Sequence, residues 1–356
     1  MTSRLASLLL AFCVSVVLVY ALKHWSRRLG LMDIPFGHKS HTRDTPLIGG
    51  LGIYLACVSV YLLGFMLADL HLQSPALLLI GAMIVAVGAL DDLRGLGVGI
   101  RFGVQIIAGV VAAMYADIVI HDLGHLFSSE LRGLGWMAVP FTAFAVVGGI
   151  NAMNMADGLD GLAGSLAAVT FSLLAVVAYM AGRNEVMLQL LVLVAAIGGF
   201  LVFNLRLFGR KAASVFMGDA GSMFLGFAIA WYLITLAHDA NRSMTPVTAL
   251  WVFAYPIMDT VSVMIRRVIL GRSPFSPDHE HLHYILLHAG LSVNQTVLVL
   301  TLMHAFMGGL GMVALYQGLA EHMMFYAYMS IFAIHFVVTL NASRVLMWLD
   351  RRGRGE

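Results

Sequence analysis

The sequence predicts an all-α, polytopic membrane protein of about eleven transmembrane helices, its amino terminus outside (periplasmic in a bacterium) and its carboxyl terminus cytoplasmic. Three observations predict it. Sixty percent of the 356 residues are hydrophobic and 11% are charged, whereas a soluble domain is about a quarter charged. Apolar runs close to twenty residues long recur along the chain, and about twenty helical residues span the hydrocarbon core. Lys and Arg also collect in alternate loops, as the positive-inside bias requires.

The runs fall near 5–22, 46–68, 76–90, 102–116, 134–153, 163–181, 186–203, 215–236, 246–265, 295–316 and 323–347. The first has only Arg4 ahead of it and no small-residue cleavage site, and Lys23, Arg27 and Arg28 follow it. It reads as a retained helix with a cytoplasmic end rather than a signal peptide. The fourth is short, as for a tilted or partly interfacial helix. With residue 1 outside, the inner loops and tail hold seventeen basic residues, and only Arg4, Arg132, Arg183 and Arg242 stay outside. One missed or invented span would scramble this asymmetry. A single domain, 1–356, is expected, without short-period repeats or low-complexity tracts. The net charge of +2 gives no bulk electrostatic ground for nucleic-acid binding. Cys13 and Cys57 lie in apolar runs and read as small core residues, with no disulfide or metal pattern.

The inner side carries the chemistry. Asp91-Asp92-Leu93-Arg94 ends the third span. Adjacent carboxylates beside an apolar helix are costly unless they meet water, cations or partners; a solvated helix terminus and a metal–phosphate site both fit. After the fifth span, Asn151, Asn154, Asp157 and Asp160 recur every three residues, interrupted by Gly158 and Gly161. Oxygen-bearing side chains on one drifting helical stripe, with glycines that let backbone approach a ligand, suit a hard cation, phosphates or a base edge. A membrane-surface turn is the bland alternative.

Before the eighth span stands Phe216-Met217-Gly218-Asp219-Ala220-Gly221-Ser222. Ser222 can cap the following helix, and Asp219 falls near its amino terminus. The bland reading is a cap and turn; the functional one is a magnesium ligand with Phe216 stacked on a base. The loop after the ninth span holds Arg266-Arg267 and then Ser273-Pro274-Phe275-Ser276-Pro277-Asp278-His279-Glu280-His281-Leu282-His283. Alternate histidines suggest zinc, but a closed zinc site takes four His or Cys ligands and no complementary set is evident. Donors to sugar and phosphate oxygens fit better. His304 and His335 read as core or interfacial residues, and Asp259, inside the ninth span, as a carboxylate paired with a neighbour. The basic stretch His38 to Pro46 is either topogenic charge or a phosphate-contacting lip.

Taken in order on alternating inner loops, DDLRGL, NAMNMADGLDGL, VFMGDAGS and SPFSPDHEHLH resemble the polyprenyl-phosphate N-acetylhexosamine-1-phosphate transferases. The resemblance covers roughly residues 20–290 and is most similar to the bacterial undecaprenyl-phosphate GlcNAc-1-phosphate group. One position departs: that group commonly ends its last motif His-x-His-His, and here the fourth residue is Tyr284. The resemblance implies transfer of GlcNAc-1-phosphate from UDP-GlcNAc to undecaprenyl phosphate, with release of UMP, at the cytoplasmic face of a bacterial inner membrane, initiating O-antigen or a related envelope polysaccharide. It implies that Asp219 and Asn154 bind Mg²⁺ (Mn²⁺ being the alternative ion) and that Asp157 lies close to metal or pyrophosphate. Asp160 and Phe216 would read the uracil, Asp91 and Asp92 would orient or deprotonate the lipid phosphate, and Asn151, Gly158, Arg266, His281 and His283 would contact the donor. One-step attack and a covalent aspartyl intermediate both stay open, as does a homodimer. Two alternatives stand beside this: the same chemistry with another sugar, such as MurNAc-pentapeptide or GalNAc, and a transporter. A transporter places ionisable residues at mid-membrane helix breaks, whereas these aspartates cluster at the inner ends of spans.

Overall fold

A computed structural model describes residues 2–34, 44–67, 74–126, 133–207, 209–238, 242–276 and 281–341. The helices are α1 (Thr2–Leu29), α2 (Gly49–Leu67), α3 (Pro75–Arg94), α4 (Val98–Tyr115), α5 (Ala138–Ala156), α6 (Leu162–Met180), α7 (Asn184–Asn204), α8 (Gly218–His238), α9 (Pro246–Val252), α10 (Ala254–Ile269), α11 (Leu282–His288), α12 (Val293–Tyr316) and α13 (Glu321–Leu340). A two-residue antiparallel ladder joins β1 (Met32–Asp33) to β2 (Thr45–Pro46). The fold is all-helical and polytopic. Among the described residues, nine helices are long and apolar enough to cross a membrane, or ten if the bent α9–α10 pair counts as one span.

The count differs from the expected eleven in two places. The apolar stretch of α2, Gly49–Gly64, falls short of a spanning length. The expected ninth span is broken at Phe253 into α9 and α10, which bend 84° apart. Pro256 supplies the reason: its ring nitrogen has no hydrogen for the Val252 carbonyl and its ring crowds that carbonyl, so the helix restarts with Pro256 in its first turn. Elsewhere the ends follow local chemistry. Ser74 accepts a hydrogen bond from the Leu77 amide with Pro75 at the first helical position, and Ser292 and Gln295 form a reciprocal capping box on α12.

Helix α8 is the pillar of the bundle. Of its spanning segment 94% is buried, and it packs against α2, α3, α5 and α6. Without a hydrophobic drive between helices in lipid, close backbone approach at small residues does the packing. A Cβ at Gly88 on α3 would lie 2.5 Å from the Ala220 backbone, and one at Gly50 on α2 would lie 2.1 Å from Gly221. The outer helices carry exposed apolar side chains, among them Leu79, Ile107, Phe144, Phe306 and Ile334. Cys13, expected in the core, is exposed on α1, while Cys57 is fully buried; an apolar run that faces outward satisfies hydropathy as well as one that faces inward. His304 and His335 are both buried, the former 2.9 Å from the Thr170 hydroxyl.

Candidate active site

The carboxyl ends of α3, α5 and α10 meet the amino ends of α4, α8 and α11 at one end of the bundle. Opposed termini bring unpaired backbone groups and polar caps together there. Gly218, at φ +74°, turns the chain into α8. The first α8 amides are capped by a side chain from another helix: Asp92 Oδ1 accepts from the Asp219 N–H at 2.9 Å, and Asp92 Oδ2 from the Ala220 N–H at 3.2 Å. Ser222, the expected cap, lies a turn inside α8 instead. Its hydroxyl donates back to the Gly218 carbonyl and accepts from Asn154 Nδ2. The close Gly88 contact explains the exchange, because it sets the end of α3 against the start of α8.

Asn154 Nδ2 donates to Asp219 Oδ1 at 2.6 Å, joining the last turn of α5 to the first of α8. Asp91 is buried, accepting from the Leu96 amide at 2.5 Å and from Arg101 Nη1 at 2.7 Å. The same Arg101 nitrogen stands 3.7 Å from Asp219 Oδ2. Asp157 follows the last residue of α5. Burial first, then the neighbouring Asp219, Asp92 and Asp160, push its carboxyl up to about 8. Such crowding of carboxylates is what a divalent cation relieves. Asp219 and Asn154, hydrogen-bonded to each other, and Asp157, coupled to Asp219 by charge, offer oxygen donors without sulfur or imidazole, the kind that Mg²⁺ or Mn²⁺ takes.

Beside this cluster opens a cavity of about 360 Å³. Of the residues expected at the site, Asn151, Asn154, Gly158, His281 and His283 line it. Asn151 Nδ2 donates to Gln105 Oε1 at 2.7 Å, which holds it against α4. Gly158 is required by the fit: a Cβ there would come within 2.4 Å of His283 Nε2. The His281 and His283 rings stack at 5.3 Å and 12°. The remaining expected residues stand around the cavity rather than on its lining. Asp160 accepts from Arg206 Nε at 2.7 Å and from the Ala213 amide at 2.9 Å. Phe216 bridges to Leu47 through backbone, fastening the strand segment to the entry of α8. Arg266 is buried in α10, and its neighbour Arg267 faces the cavity, with Nη1 donating to the Pro274 carbonyl at 2.7 Å. The basic stretch 38–43, the tail beyond 341 and residues 277–280 lie outside the described residues, so the lip expected at His38, Lys39, His41 and Arg43 does too.

Arg267, Phe275 and Tyr284, which the sequence reading placed in or beside the last motif without assigning them a contact, also line the cavity, and Arg101 and Phe102 line it without having been read as site residues. Arg101 had been counted only as topogenic charge. A signal was present, since Arg101 and Gln105 are polar residues four apart at the start of an apolar helix, which places them on one face. Asp259 is 2% exposed and paired with His281, as a carboxylate inside a span demands.

Fold and site define a polytopic helical protein with an acidic centre at its helix ends. Comparison with known proteins places it more closely. Residues 74–237 match Glycosyl transferase family 4. A protein of Escherichia coli O157:H7 called undecaprenyl-phosphate alpha-N-acetylglucosaminyl 1-phosphate transferase is 32% identical, covering 96% of this chain and 92% of its own length. Proteins of the same name from Escherichia coli K12 (34% identical, 86% of this chain, 82% of theirs) and Haemophilus influenzae Rd (33%, 96% and 94%) are similar as well. The chain belongs to Glycosyl transferase family 4, the polyprenyl-phosphate N-acetylhexosamine-1-phosphate transferases.

Proposed function

We propose that this protein transfers GlcNAc-1-phosphate from UDP-GlcNAc to undecaprenyl phosphate at the cytoplasmic face of a bacterial inner membrane, releasing UMP and forming the lipid-linked pyrophosphoryl sugar that starts O-antigen or a related polysaccharide. The observation that carries it is the joining of Asp92, Asn154 and Asp219 at the α8 amino terminus, beside a cavity lined by His281, His283, Arg101 and Arg267. The name shared by relatives about a third identical over nearly the whole chain supports the same donor and acceptor.

In this reading an oxygen of the lipid phosphate attacks the donor's β-phosphorus, and the bond to UMP breaks. Charge crowding dominates such a step, so positioning and electrostatic stabilisation supply most of the rate. Asp219, Asn154 and Asp157 are the residues that would hold Mg²⁺, and the charge neutralisation it would supply is what a pyrophosphate donor needs. Arg101, beside Asp219 and Asp91, and Arg267 with the two histidines of the loop line the cavity that takes the donor. A phosphate monoester is largely dianionic near neutral pH, its second pKa being about 6, and needs no strong base. Asp91 and Asp92 already have their oxygens committed to Arg101 and to backbone amides. They therefore position α4 and α8 rather than carry protons.

The test is UMP release by the purified protein in lipid, with undecaprenyl phosphate, Mg²⁺ and a panel of UDP-sugars. UDP-GlcNAc should support the fastest turnover, and omitting either lipid phosphate or Mg²⁺ should abolish it. Preference for UDP-GalNAc or UDP-MurNAc-pentapeptide would overturn the donor assignment, and transport without UMP release would overturn the reaction.

A further inference from the structure

We propose that Asp259 is the positioning residue of the histidine loop, fixing the His281 imidazole so that Nε2 is the ring atom offered to the cavity. The proposal rests on reading that cavity as the donor site.

Asp259 belongs to none of the four motif clusters. It sits on α10 among apolar neighbours and is 2% exposed. Its two oxygens divide the work. Oδ2 meets His281 Nδ1 at 2.7 Å, and Oδ1 accepts from the backbone N–H of Leu282, the first residue of α11, at 3.1 Å. One carboxylate thus fixes the ring of His281 and the start of the helix that follows it. An ionised carboxylate only accepts hydrogen bonds, so Nδ1 carries the hydrogen in this pair. Nε2, across the ring, is left for the cavity that His281 lines. The His283 ring stacked at 5.3 Å restrains His281 from its face. From α13, His335 Nε2 stands 3.5 Å from Asp259 Oδ1, so the last described helix also backs the pair.

Packing alone gives no reason to keep such a group. A buried ion pair is often matched or bettered in stability by apolar residues of similar volume. What an apolar residue cannot do is set which imidazole nitrogen bears the proton and where the other points.

The test uses the full-length protein in lipid nanodiscs, with Asp259→Asn, His281→Ala and the double variant. Asn keeps the size and one acceptor oxygen. We expect Asp259→Asn to lower kcat by about ten- to a hundredfold, the cost of a misaimed contact, with a smaller change in the KM for UDP-GlcNAc. In the His281→Ala background the same change should cost less than about twofold, because residues acting through one another are not additive. The ¹⁵N spectrum of histidine-labelled protein, with the His281 signal identified by its loss in His281→Ala, should show Nδ1 protonated in the wild type and a shifted pattern in Asp259→Asn. If Asp259→Asn does not fold, Asp259→Glu, which keeps the charge and displaces the ring, should fold and lose kcat. Wild-type turnover in Asp259→Asn, an undiminished loss in the double variant, or an Nδ1 without its hydrogen would each overturn the proposal. So would a stoichiometric metal held through desalting by the wild type and by Asp219→Asn but lost in His281→Ala, since the Asp259, His281 and His283 ligand atoms lie within 4.8 Å of one another and an ion there would replace the hydrogen bond. Absence of UMP release from every donor would sink the donor-site reading instead, and the ¹⁵N measurement would still decide the geometry.

Discussion

Asp219 is held from three sides: its amide by Asp92, one carboxylate oxygen by Asn154, and the other within reach of Arg101. Asp219→Asn keeps the shape and removes the charge. We expect it to insert and fold but to lose about a thousandfold or more in turnover, the cost of several kcal/mol of transition-state stabilisation, with Mg²⁺ dependence weakened; near-normal turnover with an unchanged Mg²⁺ requirement would assign the ion elsewhere. Asp157 gives a pH signature. Its carboxyl is raised to about 8 in the folded protein, so the folded chain keeps a proton that the unfolded chain has released. Its contribution to stability therefore falls as pH rises from about 4, the ordinary Asp value, toward its folded value. A cation binding here must displace that proton, so apparent Mg²⁺ affinity should rise by about tenfold per pH unit up to roughly pH 8 and then level. Calorimetric titration across that range, repeated on Asp157→Asn, checks this, and a slope that survives the substitution would count against it. Tyr284 packs its ring 4.3 Å from His283 at 44°, a contact that does not use its hydroxyl. Tyr284→Phe should keep most turnover, whereas His283→Ala should lose about ten- to a hundredfold, the worth of a charge-assisted hydrogen bond to the donor. Equal loss in the two variants would mean that the tyrosine hydroxyl has taken over a substrate contact. The acidic and histidine residues could be read from the chain because polar groups at span ends stand out against apolar runs. Arg101 could not, since the charge that marks topology also marks a site. The cap that Asp92 places on α8 was hidden too, because the backbone amides it holds belong to a helix far along the chain.

Among the elements, contact between α3 and α8 decides whether the site assembles. Gly88 leaves no room for a side chain against the Ala220 backbone, and four residues later the same helix presents Asp92 to the first amides of α8. Gly88→Val should destabilise the protein by about 1–3 kcal/mol through overpacking. It should also lower turnover more than thermal stability alone accounts for, because the Asp92 cap is drawn away. Thermal denaturation and turnover measured on one preparation separate the two effects; an unaltered rate in a destabilised protein would argue against this coupling. Hydropathy located the helices to within a few residues, because the bilayer imposes one length scale on all of them. It missed the break at Phe253, since a window average is blind to a missing N–H; Pro256 was the readable sign. It also could not separate the short apolar helix α2 from a full span, as flanking residues of similar hydropathy extend the run.

For the whole molecule, the described motif residues lie at one end of the bundle, the end that the eleven-span reading of the sequence expected to find inside; with nine or ten spans described, the sidedness is a prediction to be tested. We expect single cysteines at residues 155–162 and 273–285 to resist an impermeant thiol reagent applied to intact cells and to react once the membrane is opened; labelling of either stretch from outside would reverse the orientation. The site's position at helix ends rather than mid-bundle could be inferred from the sequence, because every motif abutted a span boundary. The enclosure of α8 could not, since its composition resembles that of its lipid-facing neighbours. That enclosure has an electrical consequence. Peptide dipoles of a helix sum to about half a unit of positive charge at its amino end, and solvent normally dilutes that field. Around α8, sheathed by protein for 94% of its spanning segment, little of the shaft is exposed for solvent to do so. Its positive pole opens where Asp92 and Asp219 meet, so the field of this shaft offsets part of the mutual repulsion of the carboxylates gathered there before any ion or substrate arrives.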